Sequence, residues 1–143
     1  MTPDIIFKLS NGLAMIGWII LILLPRYRSD KLVIGIFVTL LAIVYAYLVF
    51  DEFKPRDLEG FGSLQGVSVL FQRPKILLAG WVHYLAFDLM VGLWTKNNGF
   101  KQGVNHWYLA PCLVFTFLLG PLGLLFYLII RIFVSKKYFS KNF

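Results

Sequence analysis

Four apolar runs separated by short polar breaks set the pattern of the chain. The first covers residues 5–24, interrupted only by Lys8 and by Ser10-Asn11-Gly12, and Pro25 stops it ahead of Arg26-Tyr27-Arg28. The second covers residues 32–50, carries no charge and ends at Asp51-Glu52. The third covers residues 76–95, opened by Arg73-Pro74-Lys75, and Asn97-Asn98-Gly99 reads as the turn after it. The fourth covers residues 104–134, with Pro111 and Pro121 inside it as expected kinks. About 20 helical residues at 1.5 Å each cross a hydrocarbon core. The pattern therefore predicts an all-α fold, a four-helix transmembrane bundle, forming one integral membrane domain over residues 1–143. Between the second and third runs, Leu58, Phe61, Leu64 and Phe71 are spaced for a short interfacial helix. A plain loop is the alternative there.

Composition agrees. Of 143 residues, 59% are hydrophobic and the mean hydropathy is +0.75, above the roughly 45–50% apolar usage of soluble domains. The lone Cys112 allows no internal disulfide and sits in an apolar run, where it reads as a small buried hydrophobe. The net charge of +7 fits basic loops against anionic headgroups. No basic stripe with interleaved aromatics points to nucleic acid. Met1-Thr2-Pro3-Asp4 is no charged leader, so the first run reads as a retained span.

Orientation follows from lysine and arginine counts. With four crossings, the N-terminal end, the 51–75 stretch and the tail (Arg131, Lys136, Lys137, Lys141) share one side and carry nine cations. The other loops carry five. The bias places both termini in the cytoplasm.

The third run holds the candidate chemistry: Gly80-Trp81-Val82-His83-Tyr84-Leu85-Ala86-Phe87-Asp88-Leu89. An aspartate at the bilayer centre costs roughly 2.5–3.5 kcal/mol, which makes an intramembrane Asp a candidate site residue by default. Five residues turn His83 and Asp88 about 140° apart, whereas Tyr84 and Asp88 share a face. By depth, Asn11, Tyr45 and His83 fall in one layer, about 5–8 Å to one side of centre. Thr39, Thr116 and Asp88 fall about 2–3 Å to the other side. His106 lies ~13 Å further out than Asp88, in a Trp-Tyr interfacial setting. A structural hydrogen bond between helices is the plainer alternative for His83 and Asp88, and interfacial anchoring for His106. There is no nucleophile elbow, CxxC, HExxH or phosphate-cradling loop. Gly120-Pro121-Leu122-Gly123 reads as a kink that lets helices approach closely.

These residues resemble the neoxanthin-synthase-like membrane proteins, a family named after a plant protein of abscisic-acid biosynthesis. The matching stretches are Gly80 to Leu89, Asn105-His106, Pro111 and Gly120-Pro121-Leu122-Gly123, with Tyr45-Ala46-Tyr47-Leu48 and Leu24-Pro25 also similar. The resemblance implies a four-span protein of carotenoid or other isoprenoid metabolism. It also implies a redox-neutral isomerisation in which an epoxide opens to an alcohol beside a new allene. His83, Asp88 and, in support, His106 are then the expected catalytic residues. Asn11, Tyr45, Trp81, Tyr84 and Thr116 are the expected substrate contacts. No metal site is expected, and the residues name no cofactor. The bilayer and a hydrophobic polyene are the expected partners, and self-association or a partner membrane enzyme is compatible with such short spans. Without a plastid-type leader, the expected location is a bacterial inner membrane. Two other readings are a non-enzymatic carotenoid-binding or assembly protein, and a haem or metal protein ligated by His83 and His106. The latter requires the two histidines to be close.

Overall fold

The computed structural model describes residues 2–24 and 30–135. Six α-helices occur among them: α1 (Pro3–Leu23), α2 (Asp30–Glu52), α3 (Leu64–Phe71), α4 (Pro74–Lys101), α5 (His106–Leu119) and α6 (Pro121–Ser135). A 3₁₀ helix, Pro55–Gly62, precedes α3. The all-α expectation holds. Helix starts follow local chemistry. Pro3, Pro55, Pro74 and Pro121 each open a helix, where the missing N–H would have had no partner. Ser63 Oγ accepts the Gly66 N–H at 3.0 Å and Asn105 Oδ1 accepts the Trp107 N–H at 3.0 Å, capping α3 and α5. The 51–75 stretch is thus helical rather than a plain loop.

Among the described residues, α1, α2 and α4 are long and apolar enough to cross a membrane, with 21, 23 and 28 residues. They match the first three predicted spans, and the chain is an integral membrane protein. Helix α4 is the centre and touches α1, α2, α3, α5 and α6. Its Val82 and Leu89 are fully buried, as are Ile34, Leu41 and Leu48 of α2. Both sets recur every seven residues, the seam of helices packed at a shallow angle. Trp18 and Leu21 of α1 and Leu113 of α5 complete the core. Ile36, Ile43 and Phe50 of α2 stay exposed, as lipid-facing positions do in a bundle whose exterior is solvated by acyl chains.

The fourth apolar run is not one kinked span. Helix α5 runs through Pro111 and stops at Leu119, and the chain then reverses. Gly120 adopts φ +52° and ψ −105°, a backbone region open to glycine that costs other residues about 1–3 kcal/mol. Phe115 and Phe126 then meet edge to face at 5.1 Å. Gly123 leaves no room for a Cβ against Thr116 and the Cys112 carbonyl. Tyr127 packs with Val104, Leu109 and Cys112, and the Tyr127 hydroxyl and Arg131 reach Asn98 near the end of α4. Helices α5 and α6 therefore form an antiparallel hairpin. At 14 and 15 residues each is only about 21–23 Å long, short of a ~30 Å core. A glycine with positive φ, followed by a proline free to start a new helix, converts the expected kink into a reversal.

This reversal overturns the expected orientation. The start of α1 lies beside the start of α4, where Pro3 and Asp4 line a cavity with Pro74 and Leu77. Arg131 lies at the opposite end, beside Asn98. The described chain begins and finishes at opposite ends, and the cation count that grouped Arg131 with the N-terminal side loses its basis. Pro25, Arg26, Tyr27, Arg28, Lys136, Lys137 and Lys141 lie outside the described residues. The Asn97-Asn98-Gly99 turn is corrected as well. All three belong to α4, and the turn comes later, at Gly103 with φ +76°.

Candidate functional site

Asp88 stands halfway along α4, where the α5–α6 hairpin reverses. A Cβ placed on Gly120 would lie 3.1 Å from both Asp88 carboxylate oxygens. The carboxylate is therefore covered by backbone at a point where one helix ends and another begins. Its Oδ2 is buried and has no hydrogen-bond partner. Tyr84, one turn away on the same face, interacts with the carboxylate, and its hydroxyl also donates to the Phe117 carbonyl at 3.3 Å. That bond is long, and a phenol has one proton to give, so carbonyl and carboxylate compete for it. Trp81 packs on Tyr84 with ring centroids 5.5 Å apart. The outcome is a half-buried carboxyl group and a phenol beside the turn of a helical hairpin. Ionisable groups facing such interior positions mark sites for polar ligands and protons in other membrane bundles.

His83 belongs to another face. It stacks on Phe87 at 4.4 Å and meets Tyr45 of α2 at 5.5 Å. With Tyr45, Phe53, Phe61 and Phe71 it lines a cavity of about 400 Å³ between α2, α4 and the 3₁₀–α3 segment. The 140° separation read from spacing is thus realised, and His83 and Asp88 are not brought together.

Residues 5–127 match the ABA DEFICIENT 4-like family. The chain belongs to that family. The match spans α1 to α5 and the first half of α6, so it includes Asp88, His83 and the Gly120 reversal. It agrees with the resemblance read from the sequence. No curated protein and no solved structure matches the chain. The family and the apolar helices fit a membrane protein of the carotenoid and abscisic-acid pathway.

The two expected polar layers do not form in this member of the ABA DEFICIENT 4-like family. Asn11 accepts the Trp81 indole N–H at 3.1 Å and donates to the Phe7 carbonyl at 2.8 Å, on the α1 side of α4. Tyr45 and His83 meet on the α2 side. Thr39 is exposed and bonds the Gly35 carbonyl within its own helix. Thr116 is buried, donates to the Cys112 carbonyl at 2.8 Å and faces Gly123 of α6. Equal depth does not imply equal azimuth, and the layers were drawn on depth alone.

His106 lies far from both groups. Its Nε2 donates to the Ile22 carbonyl at 2.8 Å, at the end of α1, and its ring stacks on Phe100. The buried Nδ1 has no hydrogen-bond partner. His83 and His106 therefore occupy different ends of the bundle, which removes the geometry required for joint ligation. Among the described residues no three His, Cys, Asp or Glu side chains cluster as metal ligands do.

Sequence reading missed a buried polar cluster at the His106 end. Lys96 is fully buried, pairs with Asp30 at 3.0 Å and donates to the Leu24 carbonyl at 2.8 Å. Buried Asn98 accepts from Tyr127 and from Arg131. Lys96 and Arg131 had been counted as loop and tail charges. The signal was present in Trp94 to Lys101, which contains no proline to end α4.

Proposed function

We propose that the protein is a redox-neutral isomerase of a long isoprenoid polyene, with Asp88 and Tyr84 as the proton-transfer groups. The observation that carries this reading is the Asp88 carboxylate at the hairpin reversal, with its unpartnered buried oxygen. A buried carboxylate without its full set of partners is costly, and a proton-transfer role explains why it is kept. In the reaction class the family resemblance implies, an acid gives a proton to an epoxide oxygen as the C–O bond breaks. A base takes the proton of the neighbouring vinylic carbon, and the freed C–H electron pair becomes the second double bond of an allene. No electrons leave the substrate, and a carboxyl and a phenol are suitable groups for the two transfers. His83, held on the other face, is assigned to binding. A bundle open to acyl chains lets an apolar substrate arrive laterally, without crossing water.

Expression in a host supplied with epoxidised carotenoids tests the reading. Extracted pigments are compared for cells with no protein, the natural chain and Asp88→Asn at matched protein levels. The expected result is a new pigment isomeric with its precursor, lost in Asp88→Asn. Pigment that binds in both proteins with no new product would instead identify a carotenoid-binding protein.

A further inference from the structure

Gly80 lies between two stripes of α4. At 100° per residue, Ile76, Ala79 and His83 form one stripe, and Leu77, Trp81, Tyr84 and Asp88 form the next. The Phe71 ring of α3 rests on the glycine between them. A Cβ at Gly80 would come within 2.7 Å of Phe71 Cε1. Two cavities meet at this contact. One is the His83 cavity of about 400 Å³. The other, about 340 Å³, is lined by Leu77, Trp81, Tyr84 and Leu118. Phe71 and Gly80 line both.

We infer that these cavities are two halves of one binding groove for a long polyene, and that Phe71 is the partition the ligand displaces. The ligand class rests on the function proposed above. Both halves run along the same two turns of α4, roughly 10 Å, one over residues 76–83 and the other over 77–84, so joining them broadens the groove around α4 and lets one segment of a polyene lie across the helix. A ligand segment crossing Gly80 gains the aromatic walls of both halves and lies with His83 on one side and Tyr84 on the other. Only the absence of a side chain at residue 80 leaves a passage between the stripes.

The ring is the movable part of this partition. Its contact with Gly80 is made by the far end of a flexible side chain, Cε1 and Cζ, and Phe71 is 38% exposed. The backbone behind it is fixed. Gly66 packs directly on the Gly60 backbone, and Arg73 holds Asp57 at 3.0 Å and the Glu52 carbonyl at 2.8 Å. A rotamer change of Phe71 joins the halves without moving α3.

The test uses the full chain purified from a carotenoid-producing host, as the natural sequence, Phe71→Ala and Phe71→Trp. The readouts are the ratio of pigment to protein and the induced circular dichroism of the polyene band. If the ring-displaced form holds about a tenth of the population, Phe71→Ala raises occupancy about tenfold at limiting pigment. Phe71→Trp lowers it. In the Phe71→Ala background, His83→Gln and Tyr84→Phe each alter the dichroism of the same pigment. Occupancy and dichroism indifferent to both Phe71 variants overturn the inference, as does a pigment that responds to His83 or to Tyr84 alone. Pigment absent from every variant overturns the groove and the polyene reading together. Binding that follows Phe71, without any turnover, keeps the groove and removes only the enzymatic reading.

Discussion

Asp88 and His83 stand five residues apart on α4 and meet different surroundings. Asp88 is enclosed by the reversal between α5 and α6, with Gly120 against its carboxylate and one oxygen unpartnered. His83 borders an open cavity whose walls are mainly the rings of Tyr45, Phe53, Phe61 and Phe71. One face is half-buried and polar at a single point. The other is aromatic and broad. Under the proposed function, the contrast separates two tasks that the sequence motif runs together. A half-buried carboxylate with an unpartnered oxygen suits proton transfer, because its charge is poorly compensated and moving a proton relieves this. An aromatic cavity suits the holding of an apolar ligand.

The largest expected effect falls on turnover. Asp88→Asn keeps the shape and removes the titrating group, and should cost about 10²–10⁴-fold in kcat. His83→Gln should raise KM with kcat nearly unchanged, the mark of lost binding rather than lost chemistry. Steady-state pigment conversion in detergent or nanodiscs measures both. Equal losses of kcat in the two variants would erase the division of tasks.

Next comes Gly120→Ala. The added methyl meets both Asp88 oxygens at 3.1 Å, and the backbone there has φ +52°. Thermal or denaturant unfolding should show a loss of about 1–3 kcal/mol, with activity falling because the carboxylate is pushed aside. Gly80→Ala serves as its counterpart on the other face. There the added methyl meets only the movable Phe71 ring, so stability should change less than in Gly120→Ala. Tyr84→Phe follows, removing a hydroxyl bonded to the Phe117 carbonyl. It should lower stability by about 0.5–1.5 kcal/mol and slow turnover while leaving pigment binding in place. A variant as active as the natural chain would take Tyr84 out of the chemistry.

The sequence made much of this contrast legible, and its failures have definite causes. The three long spans were plain because each is a predominantly apolar stretch of about 20 residues flanked by charge or proline. The 140° between His83 and Asp88 was plain because helix geometry dictates it. The α5–α6 reversal was not, since Gly120-Pro121 reads equally as a kink or a turn until φ at Gly120 is known. The polar layers around Asn11 and Thr39 failed because depth along a helix is encoded in residue count, while the facing of neighbouring helices is encoded in packing. Leu41 and Val82 decide that facing, and their apolar character alone does not show which partner they choose. Lys96 falls among the five loop cations in the sequence because Asn97-Asn98-Gly99 has turn composition. In the fold Gly99 instead lets Leu109 of α5 approach α4.

The smallest expected effect concerns acid, and it acts on one face only. Asp57 accepts the Lys54 N–H at 2.9 Å and pairs with Arg73 at 3.0 Å. The Lys54 N–H holds its carboxyl below the usual carboxylate range, with help from the Arg73 and Arg56 cations and against the opposing effect of burial. A lowered folded pKa means that the ionised form stabilises the fold. That contribution is complete above the unfolded value of about 3.9 and is lost as pH falls through the lower folded value. The protection of amides in residues 55–71, which hold Phe71 over Gly80, measured against the intrinsic exchange rate at each pH, should therefore fall as pH drops below about 4 and through the lower folded value. Residues 106–119 and 121–127, around Asp88, make no contact with this ion pair, and their protection relative to the intrinsic rate should stay constant over the same interval. Asp57→Asn should abolish the difference between the two segments. Acid that loosened both segments together would mean that the His83 and Asp88 faces are one cooperative unit, and that the tasks assigned to them are not separable.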